Sequence, residues 1–174
     1  MKSIESKRLT LVPLTEERIT PKYVAWLNDK ELMQYSEQRH KSHSMVSCLT
    51  YLHSFKQTPN LFYAIVAHDV DLGHVGNIIV YRDLPNAVAE LSILIGEKCA
   101  HGQGFGLEAW QCMIDYLFAD GVRKITAGTM SKNIAMLRIF EKSGMHIEGR
   151  RQQQLLCHGE LVDYVLSAIF NEQG

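Results

Sequence analysis

Short runs in which apolar and polar residues alternate recur along the chain, and this period of two is typical of β-strands that bury one face. Seven runs are predicted as strands: residues 7–14, 61–67, 73–82, 87–96, 124–129, 145–154 and 161–170. Asp69 and Asp71 lie between the second and third runs, and His158-Gly159 lies between the last two. Since these residues favour tight turns, we expect hairpins at both places.

Helical spacing of apolar residues appears between the strands. Thr20-Pro21 reads as a helix cap followed by proline at the first helical position, and residues 44–55 carry apolar side chains on one face. A longer helix is predicted over residues 105–119, closed by Gly121, which suits a left-handed cap. The chain therefore mixes strands and helices, and its 174 residues are expected to form a single domain, 1–174.

Three glycines, at positions 102, 104 and 106, directly precede the long helix. Free amides and the positive end of a helix dipole meet at such a position, so we expect it to bind an anion such as a phosphate. The P-loop pattern is excluded because Gly106 is followed by Leu107 and Glu108 rather than by Lys and Ser or Thr. The spacing G-x-G-x-G also differs from the dinucleotide pattern.

Charge and cysteine usage exclude several classes. With 18 basic and 19 acidic residues, the chain has a net charge of −1, so no nucleic-acid partner is expected. The four cysteines have no paired or zinc-ligand spacing, and no metal site is expected. No run approaches the length of a membrane span, and the amino terminus has no apolar leader, so we expect a cytoplasmic protein without a membrane partner.

Two motifs and the order of elements resemble the GNAT superfamily of acyl-CoA N-acyltransferases. The loop from His101 to Gly106 matches the family signature, with His where the family usually has Arg or Gln. The run from Asn133 to Gly144, predicted as a short helix, resembles the downstream family motif. Within the superfamily, the chain looks most like the branch that includes ribosomal-protein-alanine acetyltransferases and several small-molecule acetyltransferases.

The resemblance implies an α+β fold with a mixed, mostly antiparallel twisted sheet of about seven strands and helices on both faces. The fourth and fifth strands, at 87–96 and 124–129, would splay apart. The helical crossover between these two strands also requires them to be parallel.

The resemblance implies acetyl-CoA as the co-substrate and assigns residues to it. The loop from His101 to Gly106 would bind the pyrophosphate, and the backbone from Ile93 to Ile95 would pair with the pantetheine arm. Asn133 would assist from the other side, or serve only as a helix N-cap. The expected cofactor-binding residues are Ile93, Leu94, Ile95, His101, Gly102, Gln103, Gly104, Phe105, Gly106, Asn133 and Phe140.

Glu90 is the candidate catalytic residue, as general base. An amine attacks only in its neutral form, so a carboxylate that accepts a proton is expected near the thioester. Glu90 interrupts an apolar strand, where it needs a partner, water or a catalytic role. The alternative is a solvated, outward-facing Glu90, and Glu148 and Asp163 are the competing carboxylates.

No general acid is assigned. GNAT members often protonate the departing thiolate with a tyrosine, but the matching position here is Phe140, which is expected to pack against the cofactor or the core. A thiolate with an ordinary pKa of about 8.5 can leave without a strong acid. The cysteines show no recognisable nucleophile arrangement, so direct attack in a ternary complex is expected rather than an acyl-enzyme.

The acceptor region is predicted from the segment Tyr23 to His40. It resembles a region of GNAT proteins that acetylate nucleotide-linked amino sugars, and of some ribosomal-protein acetyltransferases. Its polar side chains suit sugar hydroxyls, and Arg39 or Lys41 could meet a diphosphate. Helix caps and solvated loop residues are the alternative. The expected substrate-binding residues are Trp26, Asn28, Tyr35 and Arg39.

The function predicted from the sequence is acetyl transfer from acetyl-CoA to a small-molecule primary amine, most specifically an amino-sugar nucleotide. Sugar amines and protein N-termini have a pKa of about 8, against about 10.4 for lysine, so more of each is neutral at pH 7. The alternatives are an N-terminal acetyltransferase of a (ribosomal) protein and, more remotely, a CoA-binding module without catalysis. A homodimer stays open.

Overall fold

The computed structural model describes residues 2–172 and contains one eight-stranded sheet. The strands are β1 (Ile4–Glu5), β2 (Leu9–Pro13), β3 (Leu61–Ala67), β4 (His74–Asp83), β5 (Val88–Ile95), β6 (Lys124–Met130), β7 (His146–Cys157) and β8 (Glu160–Phe170). Their order in the sheet is β1-β2-β3-β4-β5-β6-β8-β7. All pairs are antiparallel except β5 with β6, which confirms the mixed, mostly antiparallel α+β fold.

The number of strands is eight rather than about seven. The additional strand, β1, has two residues, which is too short for alternation to be visible in the sequence. The first predicted run also begins later than expected, at Leu9, because the amide and hydroxyl of Ser6 both donate to the Leu9 carbonyl and close a turn. This turn sends β2 back along β1, where Ile4 pairs with Leu11.

Four α-helices begin and end close to the predicted places. They are α1 (Pro21–Asn28), α2 (Met45–His53), α3 (Phe105–Ala119) and α4 (Ile134–Lys142), and 3-10 turns lie at Glu16–Arg18, Glu37–His40 and Lys98–Ala100. Thr20 caps α1 by accepting a hydrogen bond from the Tyr23 amide, and Ser44 and Ser47 form a capping box at α2. Gly121 has φ +86°, as expected for the cap after α3.

The helices cover both faces of the sheet. On one face, Trp110, Met113 and Leu117 of α3 are fully buried against the strands, together with Phe140 of α4. On the other face, α1 and α2 form a smaller cluster around Trp26. This arrangement leaves the sheet buried on both sides near its centre.

The sheet opens between β5 and β6. The two strands pair in parallel at three positions, Val88 with Lys124, Ala89 with Ile125 and Glu90 with Thr126. Beyond Glu90, β5 continues to pair with β4 as far as Ile95. One edge of β5 therefore borders an opening, as the splay between the fourth and fifth predicted strands required.

Candidate active site

A cleft of about 1130 Å³ lies at the opening between β5 and β6. Ten of the eleven expected cofactor residues line it: Ile93, Leu94, Ile95, His101, Gly102, Gly104, Phe105, Gly106, Asn133 and Phe140. The eleventh, Gln103, turns its side chain back, and its Nε2 donates to the Cys99 carbonyl at 2.7 Å. The fold thus brings together one strand edge, one loop and the starts of α3 and α4.

The glycine loop, residues 101–106, needs each glycine for a physical reason. Gly102 and Gly104 have φ of +75° and +83°, in the left-handed region that favours glycine, and Gly104 is the N-cap of α3. A Cβ on Gly106 would lie 3.3 Å from Ile139 Cδ1 and 3.5 Å from Ile95 Cγ1, so glycine allows α3 to approach its neighbours. The first amides of α3 have no acceptor within the helix and can bind an anion.

His101 connects this loop to the strand. Its Nε2 donates to the Ile95 carbonyl oxygen at 2.8 Å. The side chain therefore ties the glycine loop to the end of β5.

Asn133 acts as the helix N-cap of α4. Its Oδ1 accepts from the Met136 amide at 3.2 Å, and its Nδ2 donates to Thr129 Oγ1 at 3.0 Å. Both of its polar groups are thus already bonded, although the residue lines the cleft. The structure thus contains the N-cap, and a contact of Asn133 with the cofactor stays a prediction.

Glu90 is exposed and lines the cleft at the point where β5 and β6 separate. The competing carboxylates lie elsewhere: Glu148 pairs with Lys124 at 2.5 Å, and Asp163 accepts from the Gln153 amide at 3.0 Å. Neither of them is among the residues lining the cleft. Of the three carboxylates considered, Glu90 is the one that lines the cleft.

Tyr164 of β8 is a cleft residue that the sequence did not reveal. A Cβ on Gly128 would lie 2.3 Å from its hydroxyl, so the ring lies directly on the backbone of β6. Burial raises the pKa of Tyr164, and the negative charge of Glu90 raises it further. The hydroxyl therefore stays protonated at neutral pH and lies within the electrostatic reach of Glu90.

Phe140, which stands where the family often has tyrosine, is 3% exposed. Its ring centroid lies 5.9 Å from that of Trp110 on α3. The ring thus closes the floor of the cleft by packing against the core, and it offers no proton.

The four expected substrate-binding residues separate into two groups. Tyr35 lines the cleft. Trp26 is 7% exposed, and a Cβ on Gly96 would collide with its ring at 2.1 Å, so it packs below the cleft. Asn28 and Arg39 also lie outside the lining and are occupied by structural hydrogen bonds.

These hydrogen bonds hold the loop between α1 and α2. Asn28 accepts from the His43 amide and donates to the His43 carbonyl, both at 2.9 Å. Arg39 donates to the carbonyls of Ser36 at 2.8 Å and Leu156 at 2.9 Å. Asn28 and Arg39, which were expected to bind a sugar, therefore hold the loop in place and do not line the cleft.

Aromatic side chains form much of the wall instead. The hydroxyls of Tyr51 on α2 and Tyr81 on β4 lie 2.5 Å apart, and both residues line the cleft with Phe62. Tyr81 is the cross-strand partner of Glu90. The hydroxyl pair therefore lies on the strand next to the candidate base, at the end of the cleft away from the glycine loop.

Within residues 2–172, no cluster of three or more His, Cys, Asp or Glu side chains could hold a metal ion. In the same residues, no helix has the length and apolar character needed to cross a membrane. The four cysteines are free thiols, and Cys48 and Cys157 are buried.

Comparison with known proteins agrees with this geometry. A family model described as an acetyltransferase (GNAT) domain matches residues 8–146. The probable N-acetyltransferase YjcK of Bacillus subtilis is 33% identical over 76 residues, which cover 43% of this chain and 42% of that protein. The match thus spans less than half the length of this relative.

Solved structures share the whole fold at low identity. RimL, a ribosomal L7/L12 alpha-N-protein acetyltransferase in complex with coenzyme A, has a TM-score of 0.87 at 16% identity, covering 99% of this chain and 100% of that one. A spermidine N-acetyltransferase from Vibrio cholerae, in complex with CoA and spermine, has a TM-score of 0.84 at 18% identity, covering 95% and 97%. At these identities the likeness shows the fold alone.

The family match covers most of the chain, including the glycine loop, Glu90 and Asn133. It confirms the family that the two sequence motifs indicated. The chain belongs to the GNAT family of acetyltransferases, which use acetyl-CoA as co-substrate.

Proposed function

We propose that this chain transfers an acetyl group from acetyl-CoA to the primary amine of a small molecule, by direct attack with Glu90 as general base. One observation carries the proposal: a single cleft is bordered at one end by the glycine loop and at the other by Glu90. The loop suits the phosphates of the co-substrate, and the carboxylate suits the proton of an attacking amine.

The co-substrate is proposed to lie along the open edge of β5. Its pyrophosphate would meet the amides of the glycine loop and the start of α3. Its pantetheine arm would hydrogen-bond with the backbone of Ile93 to Ile95, whose other edge pairs with β4. An arm in that place points its thioester towards Ser92 and Glu90, further along the same strand.

In net terms, the reaction moves one proton from the amine nitrogen to the departing sulfur. The amine nitrogen attacks the thioester carbon, a C–N bond forms and the C–S bond breaks. Glu90 accepts the proton from the nitrogen, directly or through one water molecule, and then releases it to solvent, while CoA leaves as a thiolate that takes a proton from solvent. Since Phe140 has no proton to give, no acid is assigned at that position.

The acceptor is proposed to be a small amine, with an amino-sugar nucleotide as the specific prediction. Tyr35 and Lys41 line the cleft and remain available to hydroxyls and a diphosphate. Glu37 also lines the cleft, but its Oε1 already accepts a hydrogen bond from Arg39 Nη1 at 2.7 Å. Arg39 and Asn28 are not available, because they hold the surrounding loop. Lys41 is thus the cation on which this prediction depends. A cytoplasmic location also stays a prediction.

A protein N-terminus is the second candidate, supported by the fold shared with the RimL structure. The deciding experiment offers a nucleotide-linked amino sugar and an alanine- or serine-starting peptide at equal concentration, with acetyl-CoA, and identifies the products by mass spectrometry. Faster acetylation of the sugar is expected, and faster acetylation of the peptide reverses the order. Thiol release in neither reaction, across a broad panel of amines, would contradict catalysis itself.

A further inference from the structure

Arg8, directly before β2, contacts the glycine loop and the first turn of α3 with one side chain. Its Nη1 donates to the Gln103 carbonyl at 2.9 Å, and its Nε donates to Glu108 Oε2 at 2.7 Å. The guanidinium also lies 4.7 Å from the centroid of the Phe105 ring. Its Nη2 is 3.5 Å from the place that a Cβ on Gly104 would occupy. Arg8 thus contacts the loop but is not among the residues that line the cleft.

Glu108, in the first turn of α3, is the second half of this arrangement. Besides the Arg8 side chain, it accepts from the Arg8 amide at 2.7 Å and from Ser6 Oγ at 2.9 Å. Burial opposes its charge, but these hydrogen bonds and the guanidinium prevail and lower the pKa of Glu108. The carboxylate is therefore ionised at neutral pH.

Glu108 is an ionised carboxylate in the first turn of α3, one residue after Leu107, which lines the cleft. Without a partner, its charge would oppose the binding of phosphates at the start of the same helix. It would also satisfy the positive end of the helix dipole that the phosphates need. The Arg8 guanidinium neutralises it and, through the Gln103 carbonyl, holds the loop.

We infer that Arg8 is a positioning residue for CoA binding, although it lies 95 residues before Gln103 in the sequence. It fixes the glycine loop so that the amides face the pyrophosphate, and it cancels the charge of Glu108 in the first turn of α3. The inference rests on the proposed function, because it assumes that the loop receives the pyrophosphate.

A series of acetyl thioesters tests the inference. Acetyl-pantetheine has no phosphate, acetyl-dephospho-CoA has the pyrophosphate, and acetyl-CoA adds the 3′-phosphate. Arg8→Met should raise KM about tenfold for both pyrophosphate-bearing thioesters, which corresponds to the loss of one charge-assisted hydrogen bond. KM for acetyl-pantetheine and kcat for all three should stay as in the wild type.

A second substitution separates charge repulsion from loss of packing. Glu108→Gln, made in the Arg8→Met background, removes the unpaired negative charge and should lower KM for acetyl-CoA again. Arg8→Lys keeps a cation but not the planar fork, and an intermediate KM is expected. If Arg8→Met does not fold, Arg8→Lys alone carries the comparison across the three thioesters.

Arg82→Met is the matched control. Arg82 pairs with Asp120 at 2.7 Å and is not among the cleft residues, so its loss should leave the three KM values as they are. The inference is overturned if the Arg8 variants raise KM for acetyl-pantetheine equally, or if they leave KM for acetyl-CoA unchanged. A wild-type enzyme that does not prefer acetyl-CoA over acetyl-pantetheine would instead contradict the pyrophosphate site of the proposed function.

Discussion

The two ends of the cleft are built in different ways. At the end proposed for CoA, the chemistry comes from backbone amides in one continuous stretch, the glycine loop followed by α3. At the acceptor end, side chains converge from α2, β4, β5 and β8, as Tyr51, Tyr81, Glu90 and Tyr164 show. A local sequence motif is therefore enough to predict the end proposed for CoA. The acceptor end depends instead on which elements the sheet brings together.

The largest effect is expected at the backbone-built end. Gly104→Glu forces a side chain into φ +83° and adds a negative charge at the start of α3. CoA affinity should fall by about 100-fold, because the new side chain strains the loop in the left-handed region and disturbs its contact with Arg8, whose Nη2 lies 3.5 Å from the added Cβ. Isothermal calorimetry of the folded variant measures this.

Gly121→Glu is its control, since Gly121 has φ +86° and an added Cβ there meets no atom within 4 Å. It carries the same strain and charge at the other end of α3. Equal CoA affinity for Gly104→Glu and the wild type would contradict the assignment of the loop.

The next effect concerns Glu90, the carboxylate at the acceptor end. Glu90→Gln keeps the shape and removes the basicity, so the rate at pH 7 should fall by about 100-fold. The deficit should shrink as the pH rises, since more of the amine is then already neutral. A pH–rate profile against the Glu148→Gln control measures it, and identical profiles for Glu90→Gln and the wild type would make Glu90 structural.

A smaller effect is expected from the tyrosine pair in the acceptor wall. Tyr51→Phe removes one hydroxyl of the 2.5 Å contact with Tyr81. KM for the amine should change by roughly threefold to tenfold, the range of one neutral hydrogen bond, with KM for acetyl-CoA unchanged. Tyr63→Phe, which loses a bond to the Lys2 carbonyl outside the cleft, is the control. A change in KM for acetyl-CoA alone would break the division of the cleft into two ends.

The smallest effect is a shift in the titration of Tyr164. The nearby charge of Glu90 raises the pKa of Tyr164, after burial, which is the larger cause. Glu90→Gln removes that charge and should lower the pKa of Tyr164 while burial still holds it above its usual range. NMR of 13C-labelled tyrosine, assigned with Tyr164→Phe, measures the titration midpoint of Tyr164. An unchanged midpoint in Glu90→Gln would show that the charge of Glu90 does not act on Tyr164.

The raised pKa of Tyr164 also makes the free energy of unfolding depend on pH. A folded-state pKa above the unfolded value means that the folded chain holds the phenolic proton more tightly. This contribution to stability is fully present below the unfolded pKa of about 10 and is lost as the pH rises through the folded pKa. The free energy of unfolding of Tyr164→Phe should therefore fall less above about pH 10 than that of the wild type.

Ten of the eleven residues that the sequence assigned to the co-substrate line the cleft, and their contact with CoA stays a prediction. Left-handed glycines, helix caps and strand alternation depend on residues within a few positions of one another, so the loop at 101–106 and the caps at Thr20 and Gly121 were visible in the chain itself. Sequence reasoning was less successful at the acceptor end, where Trp26, Asn28 and Arg39 proved to hold structure rather than to line the cleft. Their residue types suited a ligand, but protein atoms had already taken their hydrogen bonds.

By itself, the sequence determined the strands longer than two residues, the four helices, the glycine loop and the family, because each is specified by short-range periodicity or by a contiguous motif. Only the tertiary structure decided that Tyr164 reaches Gly128, that Tyr51 meets Tyr81 and that Arg8 supports the loop almost a hundred residues away. The physical reason is that these contacts join elements far apart in the chain. A side chain's partner in such contacts is set by sheet order and register, not by its neighbours in sequence.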